Sequence, residues 1–249
     1  IDNVLSNQFE TDDDGLITGE VRTPIIWGSG KARAVQAFSA KNGVDLTKSY
    51  FYADGDDAIN YGGIGAVTPV GIGIDAFWQG LLSPQPASSQ RRVEGFDPEP
   101  LFDNPKEARR ADRFTHLALG AAAEALADAG SFSVDPDRIG VWIGTGVGGI
   151  ETLETQIVIN HEKGARRVSP FLVPMMMANA ASATVSMKYG FQGPCENTVT
   201  ACAAGTHSIG NAARLIQLGI CDVVVTGGAA ASLTPTALAG FGNMTALSS

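Results

Sequence analysis

From Gly63 onward the apolar positions follow two different periods. Ile139-Gly-Val-Trp-Ile-Gly144 is a continuous apolar run of strand length, the pattern of a strand covered on both faces. Asp222 to Thr226, closing on Gly227-Gly228, reads as a second strand, and Thr198 to Ala201 as a third, shorter one. Phe114, Leu117, Ala118, Ala121, Ala125 and Leu126 recur at helical spacing, which predicts a helix over about Asp112 to Ala129 capped by Gly130. Further helices are predicted over Ile74 to Leu82, Val173 to Tyr189 and Ala203 to Leu218. Gly63 to Gly71 reads as a tight glycine-punctuated loop, and Pro84 to Pro105 as an irregular stretch interrupted by prolines. Strands alternating with helices indicate an α/β fold with a mainly parallel sheet.

The first sixty residues have another character. Gly15 to Val21 reads as a strand with a turn, and Lys31 to Lys41 as a helix ended by Asn42-Gly43. Ser49 to Ala53 reads as a short aromatic strand, followed at its carboxyl end by Asp54-Gly-Asp-Asp57. Carboxylates just past a strand end suit Mg²⁺, and Lys31 is placed to neutralise a phosphate. A solvated acidic turn is the simpler reading of the same residues. The change in character places a boundary near residue 60, giving a first unit of residues 1–60 and a second of 61–249.

Charge and composition narrow the function classes. The 249 residues carry a formal charge of −9, with 44% hydrophobic and 17% charged residues, ordinary values for a packed globular chain. The acidic balance argues against nucleic acid, which needs a concentrated basic surface. No uncharged apolar stretch of about 18 residues is present to span a membrane. Three cysteines, Cys195, Cys202 and Cys221, are too few and too unevenly spaced for a disulfide framework, which fits a reducing cytoplasm. The chain opens at Ile1 with neither Met nor a signal peptide, the mark of a fragment or processed product.

Two features carry candidate chemistry. Gly144-Thr-Gly-Val-Gly-Gly149 follows a strand, but its glycines do not match the dinucleotide-binding spacing, and no acidic residue closes a second strand about 20 residues on. Cys202 lies between the predicted strand Thr198 to Ala201 and the helix that opens with Ala203-Ala-Gly205. There it meets the positive end of a helix dipole and free backbone amides, which favour an anion, and its small neighbours leave room for a substrate. A buried structural thiol is the competing reading for this cysteine; Cys195 and Cys221 receive that reading outright.

Residues 63–249 resemble the N-terminal half of a chain-elongating β-ketoacyl-[acyl-carrier-protein] synthase. The stretches that carry the likeness are Gly65-Ala-Val-Thr-Pro-Val-Gly71, Gly144 to Gly149, Ser169-Pro-Phe-Leu-Val-Pro174, Gly190-Phe-Gln-Gly-Pro194, Thr200-Ala-Cys-Ala-Ala-Gly205, Gly227-Gly-Ala229, and Gly240-Phe-Gly242 with Ala246-Leu-Ser248. The resemblance implies a thiolase-like α/β fold, here the N-terminal half of a duplicated architecture, preceded by a short Rossmann-like remnant. It makes Cys202 the nucleophile that takes an acyl chain from acyl carrier protein, before decarboxylative Claisen condensation with a malonyl donor in fatty-acid or polyketide elongation. Val147 and Phe171 match substrate-pocket positions, the Phe171 to Met177 segment lying at a homodimer interface. Lys106, Arg109, Arg110, Arg166 and Arg167 match the surface that docks an acidic carrier protein. No metal or resident cofactor is implied, since the phosphopantetheine arrives on the carrier.

Residues 15–57 resemble the C-terminal part of a haloacid-dehalogenase-superfamily phosphatase, with Lys31 and Asp54 to Asp57 on its last two site motifs. Ala58 replaces a motif aspartate, and the nucleophile strand is missing upstream. In the synthase region, Ala230 stands where the family commonly carries a glutamate. None of His116, His161 and His207 matches the two histidines that, with a lysine, serve condensation from the family's C-terminal half. The reading is therefore a cysteine-bearing fragment expected to transfer acyl groups and to need its second half for condensation. The rivals are a non-catalytic carrier-protein-binding or dimerising module and, more weakly, a Mg²⁺-dependent phosphatase.

Overall fold

The computed structural model describes residues 9–11, 17–21, 62–83 and 92–247. The expected helix Lys31 to Lys41, the strand Ser49 to Ala53 and the acidic turn after it lie outside the described residues. The chain divides into two compact units, Ile1–Tyr61 and Gly62–Ser249. In the first, β1 (Phe9–Thr11) pairs antiparallel with β2 (Ile17–Val21), Phe9 opposite Val21 and Thr11 opposite Ile17.

The second unit begins with a hairpin where a loop was expected. β3 (Val67–Thr68) and β4 (Gly71–Ile72) pair antiparallel, and the Thr68 hydroxyl donates to the Gly71 carbonyl across the turn at 3.0 Å. α1 (Ile74–Leu82) follows, then the short α2 (Pro105–Ala108) and the long α3 (Arg113–Ala129). Glu124 of α3 holds the hairpin: one carboxylate oxygen accepts from the Ala66 amide and the other from the Ile74 amide at the head of α1, each at 2.7 Å. Gly65 lies so close to α3 that a Cβ there would come within 1.9 Å of the Ala121 carbonyl oxygen.

A sheet of three parallel strands forms the centre of this unit among the described residues, with β5 (Ile139–Gly144) between β6 (Cys195–Glu196) and β7 (Val223–Gly228). β5 and β7 pair residue for residue, Ile139 opposite Val223 and Gly144 opposite Gly228. Successive strand side chains point to opposite faces. Val141 and Ile143 accordingly join Phe114, Ala118, Leu119, Ala122, Ala181 and Val185 in the buried core. That core lies between the sheet and the layer formed by α3 and α6 (Ala180–Tyr189), with α6 packed on β5 and α3 on α6. α7 (Ala204–Gln217) covers the other face, packing on β5 and β7. Phe114, Leu119, Val141 and Val185 are each under 2% exposed. Complete burial of such side chains stabilises by roughly 1.5–3 kcal/mol apiece.

Two further helices, α4 (Ile150–Lys163) and α8 (Pro235–Asn243), have no counterpart among the elements expected from the apolar pattern. α4 has a weak apolar stripe, and its position is set at its head by Asp112. That buried carboxylate caps α3 by accepting from the Phe114 amide at 3.1 Å, and it also accepts from the Thr152 amide at 2.9 Å and the Thr152 hydroxyl at 2.6 Å. One anion thus serves the positive ends of two helices. The single helix expected over Val173 to Tyr189 is two, α5 (Leu172–Met176) and α6, broken at Met177 to Asn179.

Thr198 to Ala201 is not a strand, and the hydrogen bonds beside β5 show why. The amides of Val141 and Thr145 donate to the carbonyls of Pro194 and Thr198, at 2.8 and 3.0 Å. The amide between them, Ile143, donates to the Ser182 hydroxyl at 3.0 Å, which in turn donates to the Glu196 carbonyl at 2.7 Å. A side chain from α6 occupies the place of a ladder partner, so the ladder ends at Glu196. Ser182 is fully buried, so Ser182→Ala strands a donor and an acceptor. We expect a loss of about 1–3 kcal/mol, read as a lower urea midpoint at unchanged m-value.

His116 supplies a pH dependence. Its Nε2–H donates to the Ala108 carbonyl at 2.7 Å, its ring meets the Phe102 edge, and burial holds its pKa below the ordinary imidazole value. The unfolded chain therefore binds the proton more readily. Stability is complete above about pH 6.5 and falls as pH drops from there toward the lowered folded value. Urea unfolding at pH 7.5 and pH 5.0 checks this: the drop is expected to shrink in His116→Gln.

Candidate active site at the strand ends

The carboxyl ends of β5 and β7 and the head of α7 converge because glycines let their backbones touch. A Cβ on Gly144 would lie 2.3 Å from the Ala204 carbonyl oxygen, and one on Gly228 2.8 Å from the Gly205 Cα. The Ala229 amide donates to the Gly144 carbonyl at 2.9 Å, continuing the pairing past both strand ends. The buried Ser208 hydroxyl donates to the Ala204 carbonyl at 2.8 Å, just below the junction.

Cys202 sits at this junction, in a single 3-10 turn (Ala201–Ala203) that runs directly into α7. It is exposed, so the reading as a buried structural thiol does not apply to it. The residue before it, Ala201, has φ 51°, left-handed backbone that a non-glycine residue adopts at a cost of about 1–2 kcal/mol. The chain thus turns sharply at Ala201, presenting the thiol at a helix N-terminus, where the backbone partial charge is positive. Thr198 and Thr200 anchor the approach. The Thr198 hydroxyl oxygen accepts from the Trp142 indole at 2.8 Å and from the Asn211 amide group at 3.4 Å, and the Thr200 hydroxyl is 2.8 Å from Nδ1 of His207.

The other cysteines differ. Cys221 is buried, and that burial raises its thiol pKa. Cys195 is exposed as a residue, contrary to the buried reading, because it belongs to the short edge strand β6; partial desolvation of its sulfur still raises its pKa, and the Glu196 carboxylate adds to the rise.

The glycine loop after β5 is closed upon itself. Gly148, at φ 67°, donates its amide to the Thr145 hydroxyl at 3.2 Å, and the Gly149 amide donates to the Met176 carbonyl at 3.1 Å. Amides spent in this way are not available to cradle a phosphate. Val147 stands at the loop's exposed tip, 51% accessible.

Lys106, Arg109, Arg110, Arg166 and Arg167 are all exposed. The Arg110 guanidinium stacks over the Phe171 ring, 4.3 Å from its centre. That contact joins the Lys106 to Arg110 stretch to the segment that follows the 3-10 turn Ala165–Arg167. The segment is fixed to α4 by the Ser169 amide, which donates to the Gln156 side-chain carbonyl at 2.7 Å. Thr198, Thr200 and Asn211 were not singled out from sequence. The alternation of Thr198 and Thr200 just before a small-residue turn was the available signal. Among the described residues no group of three or more acidic, histidine or cysteine side chains is placed to hold a metal, and no helix is long and apolar enough to cross a membrane.

The parallel sheet between helical layers, with a cysteine in the turn at the head of a helix packed on the sheet, is a thiolase-like α/β fold. Residues 85–249 match the family model of the β-ketoacyl synthase N-terminal domain, and the chain belongs to that family. Residues 1–57 match the haloacid dehalogenase-like hydrolase model. The 3-oxoacyl-[acyl-carrier-protein] synthase 2 of Synechocystis sp. is 42% identical over 202 residues, covering 75% of this chain and 48% of that protein. The corresponding protein of Staphylococcus aureus is 43% identical over 202 residues, covering 75% and 49%. The chain spans about half the length of the curated relatives it matches. Among solved structures, a β-ketoacyl synthase from Burkholderia phymatum superposes with a TM-score of 0.62 at 27% identity, covering 73% of this chain and 48% of that one. A chain from a type II PKS acyl-carrier protein in complex with its ketosynthase bound to the hexaketide gives a TM-score of 0.65 at 26% identity, covering 74% and 53%.

The differing environments of the three thiols order their reactivity. With limiting iodoacetamide at pH 7.5, peptide mapping is expected to show Cys202 modified first, Cys195 more slowly, and Cys221 only after unfolding.

Proposed function

We propose that this chain supplies the acyl-accepting half of a β-ketoacyl-[acyl-carrier-protein] synthase, with Cys202 as nucleophile. The Cys202 sulfur attacks the thioester carbonyl of an acyl chain carried on phosphopantetheine. A new C–S bond forms, the carrier's C–S bond breaks, and the carrier leaves as the free thiol. In the second half-reaction a malonyl donor loses CO₂, its enolate carbon attacks the acyl-cysteine, and the Cys202 thiolate is expelled. The observation that carries this reading is the exposed Cys202 immediately after the left-handed Ala201, at the head of α7. A thiol so presented is open to a carrier-bound substrate, while the sheet behind it is held by backbone contacts.

The enolate of the second step needs hydrogen-bond or cationic stabilisation. Of the histidines of this chain, His116 is bonded to Ala108, His161 lies in the last turn of α4, and His207 is bonded to Thr200. We assign enolate stabilisation to groups outside the described residues. Exposed Lys106, Arg109, Arg110, Arg166 and Arg167 serve in this reading as the docking face for the acidic carrier, acting through charge complementarity. A second copy of the chain is the partner we propose for the Phe171 to Met177 segment, and the cytoplasm is the proposed site of action.

The test is transfer of a radiolabelled acyl group from acyl carrier protein to the chain, followed by peptide mapping. Label is expected on Cys202 in the wild type and in Cys195→Ser, and on no residue in Cys202→Ala. Retention of label in Cys202→Ala overturns the assignment. In the same assay Arg166→Glu/Arg167→Glu is expected to raise KM for the acyl carrier about ten-fold at low salt, with kcat unchanged and the difference narrowing as salt is added.

A further inference from the structure

The turn that presents Cys202 is costly by itself. Ala201 at φ 51° gains nothing from its own side chain, and such backbone persists only where its surroundings over-determine it. Two threonines precede it, and their hydroxyls reach different elements. Thr198 is tied to β5 through the Trp142 indole, with its carbonyl accepting from the Thr145 amide at 3.0 Å. This anchors the chain before the turn. Beyond the turn, the Ala203 amide donates to the Thr200 carbonyl at 3.1 Å, closing the 3-10 turn around Cys202. The remaining tie is the 2.8 Å bond between the Thr200 hydroxyl and Nδ1 of His207.

That bond spans the cysteine. Thr200 lies two residues before Cys202, and His207 lies within α7, so the pair links the incoming chain directly to the helix that follows the cysteine. The backbone bond from Ala203 closes the turn, and the His207 imidazole adds a second, side-chain tie from the helix to the incoming chain. Both residues are exposed, so the pair contributes little to the core, and its effect falls on the turn it brackets.

Resting on the assignment of Cys202 as the acyl acceptor, we propose that Thr200 and His207 are positioning residues for this nucleophile: their hydrogen bond fixes the left-handed turn at Ala201 and so holds Cys202 in place at the head of α7. Neither group touches the reacting atoms in this role. The hydroxyl is what counts at position 200, and a ring nitrogen within reach of it at position 207.

Four variants test this: Thr200→Val, which keeps the shape and removes the hydroxyl; Thr200→Ser, which restores it; His207→Phe; and the double variant Thr200→Val/His207→Phe. Two readouts are taken beside thermal melting. The first is the rate of Cys202 alkylation by iodoacetamide relative to Cys195 in the same molecules, which does not depend on any carrier protein. The second is kcat and KM for acyl transfer from acyl carrier protein.

Thr200→Val and His207→Phe are each expected to slow relative alkylation and lower kcat about ten-fold, with KM and the melting midpoint little changed. Thr200→Ser is expected to recover most of the loss, and the double variant to be no worse than either single one, as for two ends of one interaction. Equal losses in Thr200→Ser and Thr200→Val overturn the proposal, as do multiplicative losses in the double variant. A fall in melting midpoint with unchanged relative alkylation overturns it too, since that pattern belongs to a merely structural bond. If the wild-type chain takes no acyl group, the assignment of Cys202 as acyl acceptor fails, while the alkylation ratios still decide whether Thr200 and His207 position the thiol.

Discussion

Everything at the candidate site depends on two backbone contacts that only glycine permits. β5 ends at Gly144 against Ala204, and β7 ends at Gly228 against Gly205, with no side chain between strand and helix. A methyl group at either place would push α7 off the sheet by more than local adjustment can absorb, because packed interiors have few voids to give up. With the contacts made, the head of α7 sits directly on the strand ends, and the residue that precedes the helix has to emerge beside them. The exposed cysteine is there for that reason, and the left-handed Ala201 is the cost of turning the chain so sharply.

Around this junction, buried or partly buried polar side chains hold elements that apolar packing leaves loosely defined. Asp112 gathers the heads of α3 and α4, Ser182 stands in for a missing ladder partner of β5, and Glu124 fastens the β3–β4 hairpin and the head of α1 to α3. Each oxygen serves donors from segments far apart in the chain. They therefore set the register of helices rather than add much net stability, since a buried hydrogen bond is worth little in itself and much only when one partner is lost. At the surface a cation does similar work: the Arg110 guanidinium over the Phe171 ring ties the stretch after α2 to the segment that leads into α5.

Periodicity located β5 to the residue, α1 to the residue, and α3 and α7 to within one or two positions, because each carries a strong apolar pattern. It missed α4 and α8, whose placement rests on Asp112 and on Glu154, the latter accepting from the Thr236 amide near the head of α8. It also drew a strand through Thr198 to Ala201, since β-branched residues at alternate positions look alike whether they pair in a ladder or anchor a turn. Cys202 was legible as a thiol at the start of a helix, while its exposure and the turn before it were not.

By itself the sequence determined the α/β class, the central strand, the long helices and, through motifs such as Thr200-Ala-Cys-Ala-Ala-Gly205, the family. These are local properties: the period of apolar residues and the identity of neighbours in a short stretch. Only the tertiary structure decided that Thr200 meets His207, that Arg110 meets Phe171, that Ser182 ends β6, and that Cys195 is exposed while Cys221 is buried. Those outcomes depend on where separate elements come to rest against one another, and no periodicity within a single segment encodes the distance between two.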